Sequence, residues 1–343
     1  MISPVFFAKS ASSYLNELIA TKSSVFVVMD DSTHEHCWPS FAENLSNPSE
    51  IELIEVQNGE VSKQLTVFAQ IVETLCDLGA DRNSLIINLG GGMITDLGAY
   101  VASAYMRGIE YVNVPTTLLA MADAAHGGKT GVDLGTYKNL VGAMYPSKAV
   151  LVYPDFLKTL PYKEYASGYA EALKHGLISN VALWNKLCDA IVPAEQIAEL
   201  LPDIIAVKTQ IVTDDPYEQN VRKTLNYGHN IGHAIESFFL SEYAPIPHGE
   251  AVVMGMIMEN EMARNKKLFS AADCEMVNAK LRNLYPKLPS IKEAHDVIIE
   301  NLKKDKKNEA GVFYFSPITK IGEAAYRIEF DADDCKKVLE TYE

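Results

Sequence analysis

The run Ser84-Leu-Ile-Ile-Asn-Leu89 passes without a spacer into Gly90-Gly91-Gly92 and then into a helical pattern. A short apolar run closed by glycine predicts a strand buried on both faces. Such a strand needs helices on each side, and the flanking sequence supplies them. Ser24-Val-Phe-Val-Val-Met-Asp30 is a second buried strand, ending at an acid, and Glu50-Ile-Glu-Leu-Ile-Glu-Val56 alternates as a third. Residues 63–78 carry helical periodicity, and 95–107 read as a helix with small residues on one side. Tyr111-Val-Asn-Val-Pro115 and Ala149-Val-Leu-Val-Tyr153 close the series. This alternation argues an α/β domain with a mostly parallel sheet covered on both faces.

Past Pro154 the pattern changes. Helical periods run over 163–178, 194–214, 222–239 and 250–264, so an all-α second domain is expected. The change sets a boundary between 1–155 and 156–343, and 343 residues suffice for two cores. Residues 312–330 contain β-like pieces expected to pack back onto the helical part.

Thirty Lys+Arg against 45 Asp+Glu leave a net charge of −15. Phosphate backbones are repelled by such a surface, so nucleic acid is not an expected partner. A small anion remains possible where basic residues converge. The five cysteines (Cys37, Cys76, Cys188, Cys274, Cys335) form no CxxC pair, which fits reduced thiols and a cytoplasmic location. No signal peptide is expected from the first residues, and no apolar run reaches membrane-spanning length.

The chemistry concentrates in Lys223-Thr-Leu-Asn-Tyr-Gly-His229-Asn-Ile-Gly-His233-Ala-Ile-Glu236, with a third histidine at His248. His229 and His233, four apart, share one face of a helix. Two or three imidazoles can converge on a divalent metal, or one of the pair can serve as an acid or base beside it. Glu171 and Lys174 stand at i and i+3; they form a surface ion pair, or Glu171 completes a metal site. Asp214, Glu218, Arg222 and Asn226 recur every four residues and line one side if that segment is helical.

Gly90-Gly91-Gly92 after a buried strand suits a nucleotide pyrophosphate, although the GxGxxG spacing is absent and a plain tight turn reads equally well. Asp30 could accept hydrogen bonds from a ribose or cap a helix. Asp123 to Gly131 reads as a glycine-rich turn carrying Lys129, and Lys138-Asn139 follows. With Arg107, these groups could clamp a phosphate or carboxylate.

In order and spacing these blocks resemble 3-dehydroquinate synthase, in the sugar phosphate cyclase superfamily. The resemblance runs from about Asn58 to Gly255. It includes Asn58-Gly-Glu60-Val-Ser-Lys63, Gly90-Gly-Gly-Met-Ile-Thr-Asp96, Tyr105-Met-Arg107-Gly and Val114-Pro-Thr116-Thr117. Asp123 through Gly131, Lys138-Asn139, Glu171-Ala-Leu-Lys174, Arg222 through Glu236 and His248-Gly-Glu250 complete it.

The resemblance implies a Rossmann-like NAD-binding domain, a helical metal-binding domain and an active site in the cleft. It implies metal ligation by Glu171, His229 and His248, normally to zinc, with cobalt possible. His233 then takes a catalytic, substrate-contacting role. Substrate positions carry over to Arg107, Asp123, Lys129, Asn139, Lys174, Lys208, Glu218, Arg222 and Asn226, with Lys306 from a looser match. Cofactor positions carry over to Asp30, Glu60, Lys63, Gly91, Gly92, Asp96, Thr116, Thr117, Lys138 and Thr159. One departure stands after Asp123: family members usually have two serines and a valine, whereas this chain has Ala124, Ala125 and His126.

The implied reaction takes 3-deoxy-D-arabino-heptulosonate 7-phosphate to 3-dehydroquinate, in the shikimate route. It proceeds by transient oxidation with NAD, phosphate elimination, re-reduction and intramolecular aldol closure. The implied partner is a small sugar phosphate, and a homodimer is the family habit. The rival readings are another sugar phosphate cyclase, acting on sedoheptulose 7-phosphate or glucose 6-phosphate, and a metal-dependent alcohol or glycerol dehydrogenase.

Overall fold

The computed structural model describes residues 2–135, 137–242, 244–303 and 312–342. Two compact units emerge. The first comprises Met1–Pro161 with Ala194–Ala198, and the second Tyr162–Pro193 with Glu199–Glu343.

The first unit is built on β1 (Val5–Phe7), β2 (Val25–Asp30), β3 (Glu52–Val56), β4 (Leu85–Gly90), β5 (Glu110–Pro115), a hairpin of β6 (Lys129–Leu134) and β7 (Tyr137–Met144), and β8 (Val150–Val152). Six of these make one sheet in the order β1-β8-β5-β4-β2-β3, every pairing parallel. All residues of β2 and β4 are buried, as their unbroken apolar runs require. The helix Gly92–Ala104 places Ile94, Leu97 and Val101 into the core at i, i+3 and i+7. Asn88 on β4 and Asn113 on β5 are register partners whose side chains hydrogen-bond at 3.0 Å. They are buried polar residues beside a core that includes Phe26, Val28, Ile86 and Tyr111.

Parts of this unit differ from the sequence reading. β1 and the helix Ala8–Ile19 went unanticipated. β1 is three residues long and owes its strand state to pairing with β8, far along the chain. The expected glycine-rich turn over 123–131 is present but shorter: a π-helical turn, Ala120–Ala124, precedes it, Gly127 and Gly128 take positive φ (87° and 68°), and β6 starts at Lys129.

The second unit is mainly helical, with Tyr162–Ser179, Leu201–Asp214, His229–Ser241 and His248–Asn265 framing its polar interior. Two short antiparallel pairs, Phe313–Phe315 with Ile328–Phe330 and Ile318–Lys320 with Glu323–Ala324, account for the β-like tail. The helix expected over 194–214 is broken: Ala194–Ile197 belongs to the first unit, and a new helix starts at Leu201 with a proline in its first turn. The helix expected over 222–239 is also broken. A 3₁₀ turn spans Val221–Asn226, and Gly228 adopts the left-handed conformation at φ 76° before the helix begins at His229. A Cβ on Gly228 would sit 2.5 Å from Met256 Cγ and 2.8 Å from the Val252 carbonyl, so close packing, in addition to φ, demands glycine. Asp214, Glu218, Arg222 and Asn226 therefore share no helical face. No helix among the described residues is long and apolar enough to cross a membrane.

Candidate active site

Three helices of the second unit bring the strongest cluster together. Tyr162–Ser179 carries Glu171 and Lys174, both 1% exposed. His229 and His248 are the first residues of their helices. The positive end of a helix disfavours an imidazolium, which suits the neutral ring a metal needs at His229, whereas at His248 facing carboxylates oppose it. Gly249 sets the approach of two of these helices: its N–H donates to Ser167 Oγ at 2.9 Å, and a Cβ there would lie 2.2 Å from the Ser167 carbonyl oxygen. Only glycine permits that crossing, and Ser167 lies one helical turn before Glu171. His248 is thereby delivered to the carboxylate.

His229 Nε2 lies 3.3 Å and His248 Nε2 3.6 Å from the same oxygen, Glu171 Oε1. Atoms about 2.1 Å from a tetrahedral zinc stand about 3.4 Å from one another. Both distances to Glu171 Oε1 match that spacing, and the His229 and His248 nitrogens lie within 4.8 Å of each other. Both Glu171 oxygens are buried without a hydrogen bond of ordinary geometry, although Oε2 is ion-paired to Lys174. The other nitrogen of each ring is already engaged: His229 Nδ1 donates to the Tyr227 carbonyl at 3.0 Å, and His248 Nδ1 faces Glu236 Oε2 at 3.3 Å. Those contacts leave the Nε2 lone pairs for a metal. The residues present fit a divalent cation held by Glu171, His229 and His248. The imidazole of His233 also falls in this cluster, since nitrogens of His229, His233 and His248 lie within 4.8 Å of one another. His233, however, is exposed.

The charges around the site are unequal. Burial pushes the Glu171 carboxyl up, but Lys174 and His229 outweigh it and hold it well below the usual carboxylate range. Burial, followed by Lys174, pushes His229 down. For His248 burial is opposed by Glu171 and Glu236, which together carry it up to about 10.

A polar group adjoins the metal cluster. Lys174 Nζ donates to the Leu225 carbonyl at 3.0 Å, tying its helix to the 3₁₀ turn. Arg222 is 1% exposed and donates to the Pro216 carbonyl at 2.6 Å. Asn226 Nδ2 donates to Glu218 Oε1 at 2.8 Å, so those two meet even though the helix is broken. Lys208 is buried on Leu201–Asp214. A residue the sequence reading passed over organises the loop. Asp215 accepts from the backbone N–H groups of Gln219 (2.9 Å), Asn220 (2.6 Å) and Arg222 (3.1 Å). An acid immediately after a helix was the available signal. Tyr227 was also missed, because a backbone carbonyl leaves no mark in the residue type.

In the first unit, several of the expected cofactor residues lie at the carboxyl ends of the sheet strands. Asp30 ends β2, Gly90 ends β4, and Thr116 follows β5 with its N–H donating to the Gly90 carbonyl at 3.0 Å. The strand order reverses between β2 and β4, where ligands of open parallel sheets lie. Asp30 also caps the next helix, accepting from Thr33 N–H at 2.7 Å. Lys63 and Asp96 pair at 2.6 Å, and Glu60 precedes Lys63 in a 3₁₀ turn. Gly91 and Gly92 open the helix Gly92–Ala104, and a Cβ on Gly91 would crowd Thr117 Cγ2 at 3.1 Å. Thr159 closes the 3₁₀ turn after β8. Asp123 sits on the π-turn, half-buried.

Not all of the expected set converges. Lys129 stands opposite Met144 at one end of the hairpin, whereas Asn139, whose N–H donates to Asp133 Oδ1, stands with Lys138 near the other. Arg107 precedes β5, so it lies at the amino edge of the sheet. The 13-residue helix between it and Gly91 is about 20 Å long. Lys306 lies outside the described residues.

Comparison with known proteins decides the family. Models of the 3-dehydroquinate synthase N-terminal and C-terminal parts match residues 53–167 and 168–308. The 3-dehydroquinate synthase of Parabacteroides distasonis is 37% identical, over 93% of this chain and 92% of that protein. The chain belongs to the 3-dehydroquinate synthase family. A second 3-dehydroquinate synthase, from Prochlorococcus marinus, is 39% identical over 94% of this chain and 88% of that one. Among solved structures, a 2-epi-5-epi-valiolone synthase from Streptomyces hygroscopicus with NAD+ and Zn2+ bound superposes with a TM-score of 0.87 at 25% identity, covering 99% of this chain and 96% of that one. An iron-containing alcohol dehydrogenase from Thermococcus thioreducens shares the fold alone, with a TM-score of 0.69 at 14% identity over 99% and 98% of the two chains. As a 3-dehydroquinate synthase family member the chain is an enzyme, and the parallel sheet with a helical second part is the fold of that family and its cyclase relatives.

Proposed function

We propose that the chain converts 3-deoxy-D-arabino-heptulosonate 7-phosphate to 3-dehydroquinate and inorganic phosphate. The observation that carries this reading is the Glu171–His229–His248 triangle, at metal-ligand spacing, inside a chain of this family. NAD is held at the carboxyl edge of the parallel sheet by Asp30, Glu60, Lys63, Gly91, Gly92, Asp96, Thr116, Thr117, Lys138 and Thr159. Zinc or cobalt is held by Glu171, His229 and His248. When bound, the cation supplies Lewis acidity towards a substrate oxygen, and NAD supplies a reversible hydride acceptor.

The remaining residues bind and orient. Arg222 and Lys208 are buried cations suited to the substrate carboxylate. Lys129 and His233 supply donors for the phosphate that leaves, whereas Asn139, near the other end of the hairpin, serves a different part of the substrate. The hydrogen-bonded Glu218 and Asn226, with Asp123 and Lys174, fix the hydroxyl groups. Arg107, at the far edge of its own sheet, serves this chemistry from a second copy of the chain, which is the reason to propose a homodimer. Five cysteines without a disulfide favour a cytoplasmic location.

The test is phosphate release with the heptulosonate phosphate, sedoheptulose 7-phosphate and glucose 6-phosphate in parallel, while absorbance follows NADH. Release from the first alone, without net NADH, is expected. Release from either of the others instead moves the chain to another cyclase activity, and NADH accumulation without phosphate makes it a dehydrogenase.

A further inference from the structure

We propose that His126 is a positioning residue: its imidazole holds the π-turn Ala120–Ala124 in register, and so sets where Asp123 is presented. This rests on the reading above, in which Asp123 contacts the substrate.

The argument is an accounting of backbone hydrogen bonds. Met121 N–H donates to the Thr117 carbonyl at 2.9 Å, an ordinary helical step. The register then widens, and Ala125 N–H reaches five residues back to the Ala120 carbonyl at 3.1 Å. His126 N–H turns to the Asp123 carbonyl, also at 3.1 Å. Those two N–H groups are the ones that would have reached the Met121 carbonyl in an α- or π-helix, and both are spent elsewhere. Met121 is 0% exposed, so water is no substitute. His126, itself 5% exposed, places Nε2 2.8 Å from that carbonyl oxygen, which makes Nε2 the protonated nitrogen.

The far side of the turn is fixed as well. Asn113 Nδ2 donates to the Ala125 carbonyl at 3.1 Å, and Asn88 Nδ2 in turn donates to Asn113 Oδ1 at 3.0 Å. The turn is therefore anchored to β4 and β5 behind, and His126 closes it in front. Asp123 sits between those two anchors. The departure at 124–126 gains a physical meaning here. A serine at position 125 could return its hydroxyl to the carbonyl four residues back, which is that of Met121. Ala125 has no such hydroxyl, and the imidazole one residue later takes over the task.

The variants His126→Leu, His126→Gln and the double variant His126→Leu/Ala125→Ser test this. Three quantities are read: zinc content, kcat and KM with the heptulosonate phosphate, and amide hydrogen exchange over 120–128. His126→Leu should keep its zinc, lose at least tenfold in kcat/KM, and exchange at least tenfold faster over the turn. Gln, whose amide nitrogen can stand near Nε2, should bring both readouts back to within about threefold of the parent chain. The hydroxyl introduced by Ala125→Ser in the double variant should do the same. A folded His126→Leu chain with unchanged exchange and kinetics overturns the proposal, as does a folded double variant that regains neither. If His126→Leu does not fold, the double variant decides alone, by regaining both readouts or not. If the parent chain releases no phosphate, the functional reading fails, and hydrogen exchange still decides the role of His126.

Discussion

Glu171 and Lys174 show what burial does to a pair that the sequence leaves ambiguous. On a surface, an i,i+3 pair contributes about 0–1 kcal/mol. Here both partners are covered, and the carboxylate also faces two imidazoles. Glu171→Gln should abolish metal binding and cost about 3–5 kcal/mol, because it leaves the Lys174 ammonium buried without its counter-charge. Metal analysis and calorimetry on one preparation check both halves, and a variant that retains its zinc would move the ligand set elsewhere. His248 gives a pH prediction. Its pKa is raised from 6.5 to about 10, so in the metal-free chain it contributes stability that is complete below pH 6.5 and lost as pH rises through about 10. A metal must displace that proton, so apparent zinc affinity should rise by up to about tenfold per pH unit between pH 6.5 and pH 9. Competition with a chromophoric chelator measures it, and a flat profile would show that His248 is no ligand.

At the scale of elements, the loop after Leu201–Asp214 is held by one carboxylate. Burial pushes Asp215 up, but the N–H groups of Asn220, Gln219 and Arg222 outweigh it and lower its pKa below 3.8. Its contribution is complete above pH 3.8 and is lost as pH falls through the lowered value. Asp215→Asn should therefore cost about 2 kcal/mol at pH 7 and less at pH 3, and it should raise KM while leaving zinc bound. Urea titrations at the two pH values check the first part, and an equal loss at both would exclude the carboxylate mechanism. Gly249→Ala forces a Cβ to within 2.2 Å of the Ser167 oxygen, so it should separate the helices, lower the thermal midpoint and release the metal. A variant that keeps both would show that the helix crossing does not place His248. Strands with long apolar runs, such as β2 and β4, were legible because their neighbours hardly matter. Short β1, and the helices broken at Gly228 and near Leu201, were not, because periodicity carries across a break that only packing imposes.

Across the whole molecule, the acidic balance is compatible with an anionic substrate because cations are sequestered. Lys174, Lys208 and Arg222 are all buried in the second unit. The Glu171–His229–His248 cluster joins three helices, so a cation held there would be linked to folding. Stripping the metal with a chelator should lower the thermal midpoint, and zinc at about 100 times its dissociation constant should restore about 2.7 kcal/mol. An unchanged midpoint would mean that the cluster is not the binding site.

The sequence alone determined the alternation of buried strands and helices, the glycine turn after β4 and the presence of three histidines, because those follow from local period and residue type. It also carried the family, through the order of its motifs. Spacing alone did not say which two histidines meet Glu171, although the resemblance implied His229 and His248. That was decided by Gly249 lying against Ser167, by the left-handed Gly228, and by the contacts of Tyr227 and Glu236 with the ring nitrogens. Such contacts join residues far apart in the chain, and a linear pattern cannot encode a distance.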